Sequence, residues 1–229
     1  MCGRYANSRH DGDLLREFAV SSVVGEPPEP SWNVAPTDQA RVVLERLVDD
    51  RPDRQLRTLR WGLVPTWATD ERIGAKLING RSETITEKPA FKTAAARRRC
   101  IVPADGYFEW EASQHGKLPS YLHGDGPLGF AGLYEVRRAI EHPDEWLWTY
   151  TVLTCTAQDS VGHIHDRSPV VLPPDLVDTW LDPHLTDPEA VRELLAAVPP
   201  PMLVAYPVST EVNSVRNNGP QLVEQVTRP

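Results

Sequence analysis

Cys2 is the residue of this chain best suited to covalent chemistry, because it directly follows the initiator methionine in Met1-Cys2-Gly3-Arg4-Tyr5. Removal of Met1 leaves Cys2 with a free α-amine and a thiol on adjacent carbons. The amine condenses with an aldehyde to give a Schiff base, and the thiol then closes a five-membered thiazolidine. Such a pair captures carbonyl compounds covalently. An α-amine has a pKa of about 7.7–8.0, so a reactive neutral fraction exists near physiological pH. Alone, a cysteine after the initiator methionine is more often an accident, and its company decides.

Five further clusters combine polar groups with turns or aromatics in ways a plain core does not need. They are Trp32-Asn33-Val34-Ala35-Pro36-Thr37, Arg60-Trp61-Gly62-Leu63-Val64-Pro65-Thr66-Trp67, Ile78-Asn79-Gly80-Arg81-Ser82-Glu83-Thr84, Gly106-Tyr107-Phe108-Glu109-Trp110 and His163-Ile164-His165-Asp166-Arg167-Ser168-Pro169. Glu109 stands between two aromatics, and desolvation there raises a carboxylic acid toward a useful acid–base range. An isolated strand glutamate more often points to water. His163 and His165 share one strand face at i and i+2, as a metal pair would, but no third ligand cluster accompanies them, and no metal or other cofactor is expected. Arg4, Arg81 and Arg167 are permanently charged forks suited to phosphate. Trp32, Trp61 and Trp67 are core residues by default; Trp67, after the Pro65 turn, is the one expected to stack on a base.

The elements that must position these groups are short. Residues 13–18 read as an amphipathic helix and residues 25–36 as a proline-rich loop. Residues 41–48 and 55–63 read as strands joined by a turn at 49–53. Residues 89–99 read as a helix ending in Arg97-Arg98-Arg99, which suit its C-terminal dipole. Strands are expected at 100–103 and 107–110, broken at 103–106, then at 128–136 and 146–156. Residues 174–181 and 188–198 read as helices, and 202–208 as a closing strand. Strands and helices do not alternate regularly, which excludes a doubly wound sheet. The expected fold is α+β: a single domain over residues 1–229, with a large, mostly antiparallel, barrel-like β-sheet and peripheral helices.

Composition bounds the partners. The chain has 229 residues and a net charge of −8, but the charge is uneven. Residues 60–110 carry 9 Lys and Arg against 6 Asp and Glu, whereas residues 140–229 carry 4 against 13. A local basic groove is compatible with that acidic whole. No apolar run approaches the roughly 20 residues that span a bilayer, and no leader is apparent, so no membrane partner and a cytoplasmic location are expected. Three cysteines, none in a CxxC pair, argue against a disulfide framework or a zinc ribbon. Cys100 and Cys155 read as packing residues.

The six motifs, in this order and spacing, resemble the SRAP (SOS response-associated peptidase) family of abasic site processing proteins. The resemblance covers most of the chain, with two departures: the family usually has Ala at the position of Gly80 and Met at that of Ser168. It implies covalent capture of the ring-opened aldehyde of abasic sites in single-stranded DNA, forming a DNA–protein crosslink in DNA repair. By that resemblance Cys2 is the nucleophile through amine and sulfur, and Asn79 positions the Cys2 end and the sugar-phosphate. Glu109 moves protons at the amine and the carbinolamine, while His165 assists ring opening and later reversal. Arg4, Asn33, Trp67, Arg81 and Arg167 contact DNA. The resemblance also implies a monomer, associated with the nucleoid when bound to DNA. Two other readings stand beside it: an N-terminal-nucleophile cysteine peptidase or amidohydrolase, and a non-catalytic single-strand DNA-binding module.

Overall fold

Long strands with apolar residues on both faces build the centre of this chain, and they close on themselves. The computed structural model describes residues 2–113, 116–157 and 164–227. In chain order its elements are β1 (Tyr5–Asn7), α1 (Asp11–Glu17), β2 (Ser22–Val24), β3 (Ser31–Val34), β4 (Gln39–Val48), β5 (Arg51–Trp61), β6 (Asn79–Arg81), α2 (Lys92–Arg97), β7 (Arg99–Ala104), β8 (Gly106–Ser113), β9 (Gly116–His123), β10 (Leu128–Arg138), β11 (Trp146–Thr156), β12 (Arg167–Pro169), α3 (Pro174–Leu181), α4 (Pro188–Ala196) and β13 (Val204–Pro207).

β4 pairs antiparallel with β5 and β7, β7 with β10, and β10 with β11. The ring closes where β11 meets β5 in parallel, at Thr149↔Arg60 and Tyr150↔Trp61. Alternation along each strand sends Val42, Leu44, Leu59, Trp61, Cys100, Val102, Phe130, Tyr150 and Val152 into the barrel interior, where all are fully or almost fully buried. The opposite-facing Val43, Leu56, Ile101, Ala131, Leu133 and Leu153 are buried too, under residues of all four helices. Burial on both faces is why these strands read as near-continuous apolar runs.

A second sheet, in the order β13-β9-β8-β1-β3, covers one end of the barrel. Its inner face adds Tyr5, Tyr107 and Leu122 to the barrel interior. Its outer face packs Ala6, Phe108 and Tyr121 against two 3-10 turns, Thr210–Asn213 and Pro220–Val223. The two sheets and the peripheral helices make the α+β, barrel-like, mostly antiparallel architecture that the sequence suggests.

Several local expectations need correction. The proline-rich stretch 25–36 contains β3, because Ser31 and Val34 have strand partners in β1. The helix expected over 89–99 spans only Lys92–Arg97. Its arginine run does not form a solvated basic face. Arg99 is 3% exposed and donates to the carbonyls of Ala95, Trp180 and Asp182, and burial lowers its pKa to about 10. Arg98 pairs with Glu135 at 2.9 Å. The break expected at 103–106 shrinks to Asp105, and the closing strand to Val204–Pro207. The three-residue strands β1, β2, β6 and β12 and the eight-residue strand β9 are additions to the expected elements. Among the described residues no helix is long and apolar enough to cross a membrane.

Candidate active site

Four separate elements bring the expected reactive residues to the end of the barrel beneath the second sheet. Cys2 lies just ahead of β1, fully buried against the barrel interior. Asn79 opens β6, which extends the barrel by pairing in parallel with β11 at Val152↔Asn79. Its Nδ2 donates to the Cys2 carbonyl at 2.8 Å. The Oδ1 of the same amide is buried with no hydrogen-bond partner among the described residues, an acceptor held in place but not used. Gly80 follows inside β6 rather than in a flexible loop; a Cβ there would meet Leu153 Cδ2 at 3.1 Å and Ile85 Cγ2 at 3.3 Å.

Glu109 is 4% exposed on β8. The cause differs from that suggested by its neighbours in sequence: Phe108 faces the outer cluster, and Glu109 is buried because it shares the inward face with Tyr107. Burial raises its pKa, and His165 partly offsets that rise. The Cys2 thiol is also pushed well up, first by burial and then by the Glu109 charge. Both effects disfavour the thiolate.

His165 precedes β12, which hangs on β11 through Thr156↔Arg167 and two further pairs. Its Nδ1 accepts the Arg167 amide at 2.9 Å, which places the ring proton on Nε2. Asp166 Oδ1 lies 2.9 Å from the same nitrogen, a contact that needs a protonated Nδ1. Asp166 is 87% exposed, so the amide contact governs the resting tautomer. His163 and Met1 lie outside the described residues.

Glu109 and His165 line an open cavity of about 590 Å³ together with Arg4, Trp110, Lys117 and Asn213. Arg4 donates from Nη1 to Asn33 Oδ1 at 2.7 Å and to the Val212 carbonyl at 2.9 Å. Both acceptors are neutral; burial lowers the pKa of the half-buried guanidinium, and the Asp38 charge partly offsets that fall. Trp110, Lys117 and Asn213 had no assigned role in the sequence reading. Trp110 ended a recognised motif, whereas nothing in the spacing links Lys117 or Asn213 to it.

The residues expected at DNA divide into three kinds. Arg81 is exposed at the end of β6 and makes no ion pair among the described residues. Trp67 is 56% exposed, its Nε1 reaching the Pro89 carbonyl at 3.4 Å. Arg167 is committed elsewhere, to both Glu83 oxygens at 2.7 and 2.9 Å and to the Thr154 carbonyl. Asn33 is corrected outright as a direct contact. It is 3% exposed, and its amide is used up by Arg4 and by the carbonyls of Val212, Ser214 and Asn217.

Comparison with known proteins identifies relatives of this chain. The chain is 38% identical over 228 residues to the abasic site processing protein YoqW of Bacillus subtilis, covering 98% of this chain and 99% of that one. It is 32% identical to the abasic site processing protein YedK of Escherichia coli, covering 99% and 100%. Against HMCES of Gallus gallus, of the same description, it is 32% identical, covering 96% of this chain and 76% of that one. A crystal structure from Bacteroides thetaiotaomicron superposes with a TM-score of 0.81 at 22% identity, covering 99% and 100% of the two chains. The family model described as SOS response associated peptidase (SRAP) matches residues 1–215. The chain belongs to the SRAP family.

Proposed function

We propose that this protein processes abasic sites in single-stranded DNA by capturing their ring-opened aldehyde on Cys2, once Met1 has been removed. The observation that carries the reading is the linkage of four distant segments at one place: Asn79 holds the Cys2 carbonyl, the Glu109 charge acts on the Cys2 thiol, and Glu109 and His165 line one cavity with the Arg4 guanidinium. The relatives named above are described as abasic site processing proteins, which supports the same substrate.

The residues suggest an order of steps. His165 moves a proton at the sugar ring oxygen as the hemiacetal opens to the aldehyde. The Cys2 amine adds to the carbonyl carbon, and the carbinolamine loses water to give the imine. Glu109, with its raised pKa, donates and accepts the protons of these two steps. The Cys2 S–H then adds across C=N: the S–C bond forms and the proton goes to nitrogen, closing the thiazolidine. Asn79 holds the Cys2 backbone through the whole sequence, while its unused Oδ1 can accept a sugar hydroxyl. Burial and the Glu109 charge both raise the Cys2 thiol pKa, which supports attack led by the amine.

The test is a denaturing gel with the mature protein and three strands: abasic, intact and chemically reduced abasic. A denaturation-resistant band with the abasic strand alone is expected, lost in Cys2→Ala and more labile in Cys2→Ser. Equal and equally stable attachment by Cys2→Ala would sink the reading. Amide turnover without attachment would point to the hydrolase, and salt-reversible binding alone to a binding module.

A further inference from the structure

We infer that Asn33 is a positioning residue, which locks Arg4 and the segment 212–217 into one rigid wall of the DNA cavity. The inference rests on the reading above for the identity of the ligand, and on the following contacts for the wall itself.

The side chain of Asn33 has one acceptor and one amino group, and both are occupied. Oδ1 takes the Arg4 Nη1 proton at 2.7 Å. Nδ2 faces three backbone carbonyls, those of Asn217 at 2.9 Å, Ser214 at 3.0 Å and Val212 at 3.4 Å. Val212 also receives Arg4 Nη1, at 2.9 Å. Between these anchored residues sits Asn213, whose Oδ1 accepts Trp110 Nε1 at 2.7 Å. Trp110 in turn lies against Arg4, its ring centroid 5.8 Å from the guanidinium carbon. The contacts form a closed circuit: Arg4 to Asn33, Asn33 to the segment 212–217, that segment to Trp110, and Trp110 back to Arg4. Three of its members, Arg4, Trp110 and Asn213, line the cavity, whereas Asn33 is behind it.

The chemistry makes asparagine special here. A neutral amide can accept from a guanidinium on one side and donate two N–H groups to clustered carbonyls on the other. Aspartate would keep the bond to Arg4 but would place a second negative group against three carbonyls and cancel the charge that Arg4 offers to phosphate. Leucine would leave Arg4 and the carbonyls without their shared partner. Nor is the wall continuous in sequence: β1 pairs with both β3 and β8, which brings residues 4, 33 and 110 together, and the 3-10 turn Thr210–Asn213 is held against them by side-chain hydrogen bonds.

A double-mutant cycle on intact single-stranded DNA tests this, using equilibrium binding over a range of salt concentrations with Asn33→Asp, Asn33→Leu, Arg4→Gln and the Asn33→Leu/Arg4→Gln pair. Asn33→Asp should mimic Arg4→Gln, shallowing the salt slope by the ~0.7 of a single lost phosphate contact. Asn33→Leu should weaken binding about tenfold, the effect of losing a hydrogen bond to a charged group. In the Asn33→Leu/Arg4→Gln pair the loss should not exceed that of Arg4→Gln alone. On abasic strands, the same Asn33 variants should raise the half-saturating DNA concentration while changing the capture rate at saturation less than about twofold, since the reacting groups are untouched. Additive losses in the pair, or an unchanged salt slope in Asn33→Asp, would overturn the inference. Should the Asn33 variants fold poorly, Arg4→Lys serves instead: it keeps the charge but loses the planar guanidinium that lies against Trp110, and binding equal to wild type would count against the circuit. Failure of covalent capture by the wild type would remove the functional reading but leave the binding cycle interpretable.

Discussion

Glu83 grips Arg167 through both carboxylate oxygens, at 2.7 and 2.9 Å. This fork ties the segment after Asn79 to the segment after His165, so two groups of the candidate site are coupled by one ion pair. The contact lowers the Glu83 pKa. It also means that the Arg167 charge is already matched before any DNA arrives.

Arg81 and Arg167 should therefore differ when removed. Arg81→Ala should shallow the salt dependence of single-strand binding by about 0.7, the value for one phosphate contact. Arg167→Ala should change that slope less and instead slow capture at saturating DNA, because the His165 segment loses its anchor. Glu83→Gln should steepen the slope by freeing the Arg167 charge. Filter binding at four salt concentrations, paired with single-turnover capture, separates these outcomes; equal slopes for both arginine variants would show that Glu83 does not neutralise Arg167 in solution.

Asn79→Ala should leave intact-strand affinity nearly unchanged and slow capture even at saturation. Its amide holds the Cys2 carbonyl, and loss of attack geometry costs on the order of 10²-fold. Asn79→Asp should be slower still, since a carboxylate cannot donate to that carbonyl. Single-turnover rates across a DNA titration check both.

Glu109→Gln should trade activity for stability. Capture should slow by ~10²–10⁴, the range for a general acid–base group. The sign of the stability change follows from the raised pKa. A carboxyl with a higher pKa folded than unfolded binds more protons in the folded state, so its contribution declines as pH rises above the ordinary carboxylate value. The glutamine variant should thus melt higher than wild type at pH 7, with the gap closing below about pH 4, near the unperturbed glutamate pKa. Thermal melts at both pH values decide it, and a lower melting point at pH 7 would contradict the buried carboxyl.

Gly62→Ala should destabilise the whole chain. Gly62 has φ 121°, and a Cβ there would lie 2.6 Å from the Gly74 carbonyl oxygen. The two backbones cross where β5 ends and the 3-10 turn Glu71–Lys76 leads on to Asn79. Strained φ and a backbone clash together cost about 2 kcal/mol or more. A denaturant midpoint equal to wild type would exclude that cost.

What could be read before folding was chemistry carried by residue type, and what could not was anything assembled across the ring. Cys2, Asn79, Glu109 and His165 announce themselves through short motifs with turns and aromatics. Strands β4, β5, β10 and β11 show in β-branched and aromatic runs, but the parallel seam between β5 and β11 leaves no local trace. Three-residue strands such as β6 have too few positions for alternation to register. Arg97-Arg98-Arg99 looked like a basic surface because a charge count does not know that Arg99 points at three carbonyls. Asn33 looked like a ligand contact because an amide on a loop is ambiguous until its partners, more than 170 residues away, are placed. Lys117 and Asn213 belong to no motif at all; only the shape of the cavity joins them.

The parallel seam also sets a timetable. Arg60 and Trp61 meet their partners only when residues 149 and 150 exist, and at ribosomal speeds of 5–20 residues per second that wait is on the order of 5–20 s. Pairings so distant along the chain close slowly even in a complete polypeptide. Until β11 is in place, β6 and β12 lack the strand they pair with, and Asn79 and the segment before β12 that carries His165 have no fixed position. On the proposed reading, with Met1 removed during synthesis, the aminothiol at the front of the nascent chain is a small reactive group in open solution, exposed to every aldehyde in the cell. Cys2 is made first and housed last.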